Sequence, residues 1–196
     1  MSDAKETEYV SLNSSFSDIK KNDKIFQISE EETVPLKTIE IISDLLNNIC
    51  EECKDISENI NINNNLFMTK NIPSISIKDY LIRLSQYTKM NDSTIILILI
   101  YIDRFCNNNN ISLSFRNIYK LILVAMVSAI KYNEDNFYSS KVYAKLGGLS
   151  VYELNYLELQ FLISLKFSLF VEKDLFDKYN EYLLSFEDDN DSNEEH

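Results

Sequence analysis

Two cysteines at a three-residue spacing are the first candidates for chemistry, Cys50 and Cys53 in the run Cys-Glu-Glu-Cys. A C-x-x-C pair binds metal when two further ligands complete the set, and redox pairs normally begin a helix that follows a strand. No further ligand lies near this pair in sequence, and the only histidine is the last residue, His196. We therefore expect no metal and no cofactor, and a thiol-dependent redox protein remains the weakest alternative.

The residue patterns of the common catalytic sites do not occur in this sequence. The chain has two glycines in all, Gly147 and Gly148, so it has no glycine-rich phosphate loop. No serine or cysteine nucleophile is matched with a histidine, and no paired carboxylates stand in a recognisable setting. We expect that the chain is not an enzyme.

Two isolated charges border apolar helical patterns. Lys131 ends the almost wholly apolar segment 117–132, and Glu158 lies beside the apolar stripe of segment 150–167. The simplest interpretation of Lys131 is a favourable cation at a helix C-terminus, and that of Glu158 is a carboxylate at the edge of a solvated face. A role in binding is the alternative, and the spacing of the residues leaves both open.

A third charge, Asp103, follows the longest apolar run of the chain, residues 95–102. A carboxylate at the end of such a run needs a cation, and Arg83 on the preceding predicted helix is the candidate. We predict a structural ion pair between Asp103 and Arg83. Removing one member of such a pair, if it is buried, costs roughly 3–5 kcal/mol.

Apolar residues repeat with the period of an α-helix along most of the chain, and this pattern predicts the helices that carry these charges. The predicted helices are 36–56, a segment from residue 77 to about 87, 94–105, 117–132, 138–146, 150–167 and 173–184. Segment 117–132 is apolar nearly all round, which is typical of a central buried helix. Gly147 and Gly148 end one helix, and Ser150 with Glu153 has the spacing of a capping box that begins the next. The pattern predicts an all-α domain.

Composition and charge narrow the class of protein. A length of 196 residues suits one domain with a sizeable core, and the scarcity of glycine and proline favours helices. The net charge of −12 argues against binding to nucleic-acid phosphates or to an anionic membrane. Met1 precedes a polar, acidic stretch rather than a signal peptide, and the apolar runs are too short to span a bilayer. We expect reduced cysteines and a nuclear and/or cytoplasmic location.

Four motifs stand in a fixed order along the chain. They are YIDRF (101–105), AIKYNED (129–135), FYSSKVYAKLGGLS (137–150) and ELNYLELQFLISLKF (153–167). Together they resemble the cyclin box of cyclins. The likeness is closest to the PHO80-like, or P/U-type, cyclins, and the segments NIPSISIKDYLIRL (71–84) and FSLFVEKDLFDKYNEYLL (167–184) fit the same subfamily. The resemblance covers roughly residues 36–184.

The resemblance implies a single five-helix box at about 77–167, inside a domain over 34–184 with flanking helices 36–56 and 173–184. An arm over 1–33, disordered or wrapped on the surface, and an acidic tail over 185–196 lie outside it. It also implies a regulatory subunit that binds and activates a cyclin-dependent protein kinase and does no chemistry itself.

The matching motifs imply that Lys131, in AIKY, and Glu158, in NYLEL, contact the kinase, and that Asp103 is structural. The chain departs from cell-cycle cyclins because it has no tryptophan and no Met-Arg-Ala-Ile-Leu substrate-docking motif, the corresponding helix reading IKDYLIRLSQY. The alternative is a non-activating cyclin-fold scaffold that recruits other proteins.

Overall fold

The computed structural model describes residues 34–53 and 66–191, with the backbone alone for residues 187–191. Within these ranges the chain forms seven α-helices and no strand. They are α1 (Leu36–Glu52), α2 (Ile77–Thr88), α3 (Asp92–Asn109), α4 (Ile118–Asn133), α5 (Ser140–Gly147), α6 (Val151–Ser164) and α7 (Lys173–Asp191). The predicted all-α fold is confirmed. The arm predicted over 1–33 lies outside the described residues.

Helix α4 is the centre of the core. Residues 121–130 are all buried, and so are Ile118 and Tyr119 in its first turn. Helices α3, α5 and α6 pack against α4, while α1 packs against α2, α3 and α7. A helix that is apolar on every side is stable only when neighbours cover every side, so the burial predicted from the pattern is confirmed.

Side-chain caps set the start of three helices. Ser76 Oγ accepts the Asp79 amide at the start of α2, and Ser150 Oγ accepts the Glu153 amide at 3.1 Å at the start of α6. Asn91 Oδ1 accepts the Thr94 amide at 2.8 Å at the start of α3. Helix α3 begins two residues before the predicted segment 94–105. Asn91 is the cap because it keeps an extended backbone, whereas Asp92 is already helical.

The glycine pair ends α5 as predicted. Gly148 has a φ of 69°, the left-handed conformation that glycine adopts without a side-chain clash. Gly147 has a second role, because a Cβ atom there would lie 2.1 Å from Cδ2 of Leu123 on α4. The missing side chain therefore lets α5 lie close against the central helix.

The connection from α6 to α7 contains two consecutive non-glycine residues with left-handed backbone. Lys166 has a φ of 53° and Phe167 a φ of 56°. Arg104 on α3 donates from Nη1 to the carbonyls of Ser168 at 3.2 Å and Phe170 at 3.1 Å. These bonds from α3 hold an unusual turn in place.

Four helices end more than two residues from their predicted ends. Helix α3 continues to Asn109 instead of 105, and α6 ends at Ser164 instead of 167. Helix α1 ends at Glu52 instead of about 56, and Cys53 forms a turn. Helix α7 continues to Asp191 instead of 184, so the first part of the predicted acidic tail is helical. No glycine or proline interrupts residues 173–191, and the rings of Tyr182 and Phe186, one turn apart, meet at a centroid distance of 4.9 Å.

Candidate functional site

The two charges that border apolar patterns lie together in the structure. Lys131 Nζ is 2.8 Å from both Glu158 Oε1 and Glu158 Oε2. Lys131 is in the last turn of α4 and Glu158 is in the middle of α6, so the pair joins two packed helices. The side chains are 28% and 13% exposed respectively, which places the pair at the edge of the core.

The pair retains hydrogen-bonding capacity for a partner. An ammonium group has three N–H donors, of which the two bonds to Glu158 use two. Each carboxylate oxygen also has a further lone pair, so the carboxylate can accept from another donor. The pair is therefore able to bind backbone carbonyls and amides of a docked segment without breaking its own bonds.

The end of α4 is tied to a neighbouring helix. The Thr94 hydroxyl, in the first turn of α3, donates to Glu134 Oε1 at 3.0 Å, just after α4 ends. Asn133 Nδ2 donates back to the Ala129 carbonyl at 2.8 Å. Both bonds fix the turn that carries Lys131.

Exposed apolar side chains lie on the two helices that carry the pair. Tyr132 follows Lys131 and is half exposed, and Phe167 lies exposed after the end of α6. The exposed apolar residues of α6 itself are Val151, Tyr152, Tyr156, Leu159 and Ile163. The sequence prediction identified only the buried stripe of α6. The available signal was that α6 has more apolar residues than one stripe requires. Several exposed apolar residues on one helix are more than the scattered single ones of an ordinary surface. Such a surface is typical of a protein-binding site.

Asp103 is not in the buried environment that the apolar run suggested. It is exposed, and its Oδ2 accepts the Tyr179 hydroxyl at 2.8 Å and Asn107 Nδ2 at 3.1 Å. Burial and this bond raise the pKa of Tyr179 to about 12. The helix period turns Asp103 away from the core, unlike its neighbours Ile102 and Phe105. Asp103 therefore joins α7 to α3.

Arg83 makes its described contacts elsewhere. Its Nη2 donates to the Leu146 carbonyl at the end of α5, and its guanidinium lies 5.6 Å from the Tyr80 ring centroid. A cation is favourable at a helix C-terminus. The ion pair between Arg83 and Asp103 remains a prediction, which these contacts do not support.

All three cysteines are thiols, and the third adjoins the C-x-x-C pair. Burial, followed by the neighbouring Cys53 and Cys106, raises the pKa of Cys50 to about 12. Burial also raises the pKa of Cys106 to about 12. Such thiols are protonated at neutral pH and are poor nucleophiles, which argues against the redox alternative. Cys106 was missed from sequence because it lies on α3, far along the chain. Among the described residues no group of three or more His, Cys, Asp or Glu side chains suits a metal ion.

In the parts of the chain that the structure describes, none of the helices combines the length and apolarity needed to span a bilayer. The fold and the site define a helical module with one charge pair at the edge of its core and exposed apolar residues on the helices that carry the pair. The sequence model described as Cyclin matches residues 10–169, and the chain belongs to the cyclin family. This match begins within the stretch predicted to be an arm.

The chain is similar to named cyclins from plants and yeasts. It is 35% identical to Cyclin-U2-1 of Arabidopsis thaliana over 153 residues, which are 76% of this chain and 68% of the relative. It is 35% identical to PHO85 cyclin-like protein psl1 of Schizosaccharomyces pombe over 123 residues, 62% of this chain and 51% of the relative. It is 33% identical to PHO85 cyclin-7 of Saccharomyces cerevisiae, with 85% of this chain and 66% of the relative covered. The chain thus spans half to two thirds of these relatives, and the predicted PHO80-like resemblance is confirmed.

Proposed function

We propose that this chain is a regulatory subunit that binds and activates a cyclin-dependent protein kinase, with Lys131 and Glu158 at the centre of the contact. The observation that carries the proposal is the bidentate pair between these side chains, on two helices that also carry exposed apolar residues such as Tyr132. Membership of the cyclin family and two relatives named as PHO85 cyclins support a kinase partner.

Activation in this family acts on the mobile regulatory helix of the kinase. Pressing on that helix brings the kinase's own Lys–Glu ion pair and its metal-binding aspartate into their working positions. Lys131 donates to backbone carbonyls of the docked helix, and Glu158 accepts from its backbone amides. Charge-assisted bonds of this kind contribute about 1.5–3 kcal/mol each. Exposed apolar residues next to the pair in sequence, such as Tyr132, supply contact area, and the cyclin does no chemistry.

The test is kinase activity measured against cyclin concentration, using the kinase that co-purifies with the tagged chain. We expect Lys131→Ala and Glu158→Ala to remain folded and to need roughly 10- to 150-fold more protein for the same activity. Lys178→Ala and Glu181→Ala are matched controls, since both residues are exposed on α7. We expect these controls to activate like the unaltered chain.

Two outcomes would contradict the proposal. Full activation by both site variants would show that the assigned contact is wrong. Binding of the kinase by the unaltered chain without activation would favour the non-activating scaffold. A nuclear and/or cytoplasmic location is part of the proposal, and a fluorescent fusion of the chain tests it.

A further inference from the structure

Helix α6 has a second apolar side that faces solvent. Tyr152, Tyr156, Leu159 and Ile163 are 82%, 43%, 48% and 50% exposed. They follow one another at steps of four, three and four residues, which places them on one side of the helix. These four residues form the outer face of α6. The opposite side, with Leu154, Leu157 and Phe161, is buried in the core.

On α6 itself, each charged residue that flanks the outer face is paired. The charged residues of α6 are Glu153 and Glu158, and each is bonded to a lysine of the same chain. Lys120 Nζ lies 2.9 Å from Glu153 Oε1 on α6's flank toward the start of α4. The chain as a whole has a net charge of −12, so two copies repel each other at long range. Two copies can therefore meet at the outer face of α6 without bringing like charges of this helix together.

The spacing of the outer face is symmetric. When two α6 helices cross antiparallel about a twofold axis near residues 157 and 158, Tyr152 of one copy faces Ile163 of the other. In the same register Tyr156 of one copy lies at the level of Leu159 of the other. A surface that pairs with itself in this way is what a twofold dimer requires.

The area matches a weak dimer. A whole aromatic side chain presents about 150–250 Å². The outer-face residues are between 43% and 82% exposed, and Phe167, four residues after Ile163, is 64% exposed. Together these five residues offer on the order of 500 Å² per copy. Pairing then buries about 1,000 Å² in total, near the lower limit for a specific interface. The expected complex is reversible and depends on concentration.

We propose that two copies of this chain associate through the outer faces of α6, antiparallel about a twofold axis. The association needs no kinase and does not rest on the proposed function. Self-association is measured on the chain alone, so its absence can be distinguished from a failure to activate a kinase.

Sedimentation velocity of the full chain alone, from low to high micromolar concentration, tests the proposal. We expect a dimer that forms with rising concentration. Tyr156→Lys and Leu159→Glu should each raise the dissociation constant at least about tenfold, which corresponds to about 1.4 kcal/mol. An equimolar mixture of the two variants should associate again, because the new lysine faces the new glutamate across the axis.

Tyr182→Lys on α7 is the matched control, since it places the same charge at another half-exposed tyrosine, and it should dimerise like the unaltered chain. Circular dichroism and melting temperature confirm folding of every variant. A chain that is monomeric at all concentrations overturns the proposal, as do variants that dimerise normally. A mixture that does not recover overturns the antiparallel register. A monomeric chain whose two variants lose kinase binding would assign the face to the kinase.

Discussion

At the scale of single residues, Lys131 and Glu158 act as one unit. Each charge lies mostly away from water, and each is neutralised by the other at 2.8 Å. The pair therefore adds strong hydrogen-bonding groups to an apolar surface without adding net charge. A variant that removes one member leaves the other charge without its partner.

This coupling predicts the stability of the site variants. Exposed pairs contribute up to about 1 kcal/mol and breaking a buried pair costs about 3–5 kcal/mol, so we expect Lys131→Ala or Glu158→Ala to cost about 1–2 kcal/mol. The double variant should cost less than the sum of the two, because it leaves no unpaired charge. Urea unfolding of the four proteins measures the coupling.

The pair Lys78–Glu40 is the control for that cycle. It joins α2 to α1 and both side chains are well exposed, so water screens it. We expect little or no coupling there. Strictly additive costs at Lys131 and Glu158 would contradict the interpretation of the pair as a unit.

At the scale of elements, the approach of α5 to α4 depends on an absent side chain. We expect Gly147→Ala to destabilise the protein by about 1–3 kcal/mol, because the added Cβ overlaps Leu123 in a filled core. Leu123→Ala in the same chain makes room, so the double variant should be more stable than the two separate costs imply. Thermal unfolding of the three variants checks this, and additive costs would show that α5 moves freely instead.

The last turns of α7 provide a second test. Leu183 is buried and Phe186 is the last residue whose side chain is described. We expect truncation after Phe186 to leave the melting temperature almost unchanged. Truncation after Tyr182 removes Leu183 and should cost roughly 1.5–3 kcal/mol. A large loss with the shorter truncation would mean that the end of α7 packs.

Helix periods and caps were readable from sequence because they depend on neighbours within one turn. The glycine turn and the burial of α4 followed from that signal. The exposure of Asp103 was missed because its position after an apolar run was used instead of its phase on the helix. The outer face of α6 was missed because a pattern does not say which of two apolar sides a neighbour covers. The bond between Lys131 and Glu158 joins distant segments, which local spacing cannot predict.

At the scale of the whole molecule, buried thiols and phenols couple folding to alkaline pH. Burial raises the pKa of Cys50 and Cys106 from 9.0 to about 12, and that of Tyr143 from 10.0 to about 12. Between pH 9.0 and about 12 the unfolded chain has therefore lost protons that the folded chain keeps. The free energy of unfolding therefore falls as the pH rises through this window. Below the window these groups are protonated in both states and do not change it.

We expect the free energy of unfolding to decline steadily above pH 9.0, with a shallower decline in Cys50→Ala. Urea unfolding at a series of alkaline pH values measures the slope. Lys178→Ala is the control, because Lys178 is exposed on α7. A flat profile, or an equal slope in Cys50→Ala, would show that the thiol is not protected by folding.

The bond from Thr94 to Glu134 has a consequence for association. Together with the bond from Asn133 to Ala129, it orders the last turn of α4 in the free chain. Lys131 is thus held in one geometry, by this turn and by Glu158, before any second protein arrives. Immobilising a flexible side chain on binding costs about 0.5–1.5 kcal/mol, and here folding has already met that entropic cost. The binding free energy of a partner that docks at this turn is therefore not reduced by the cost of ordering this lysine.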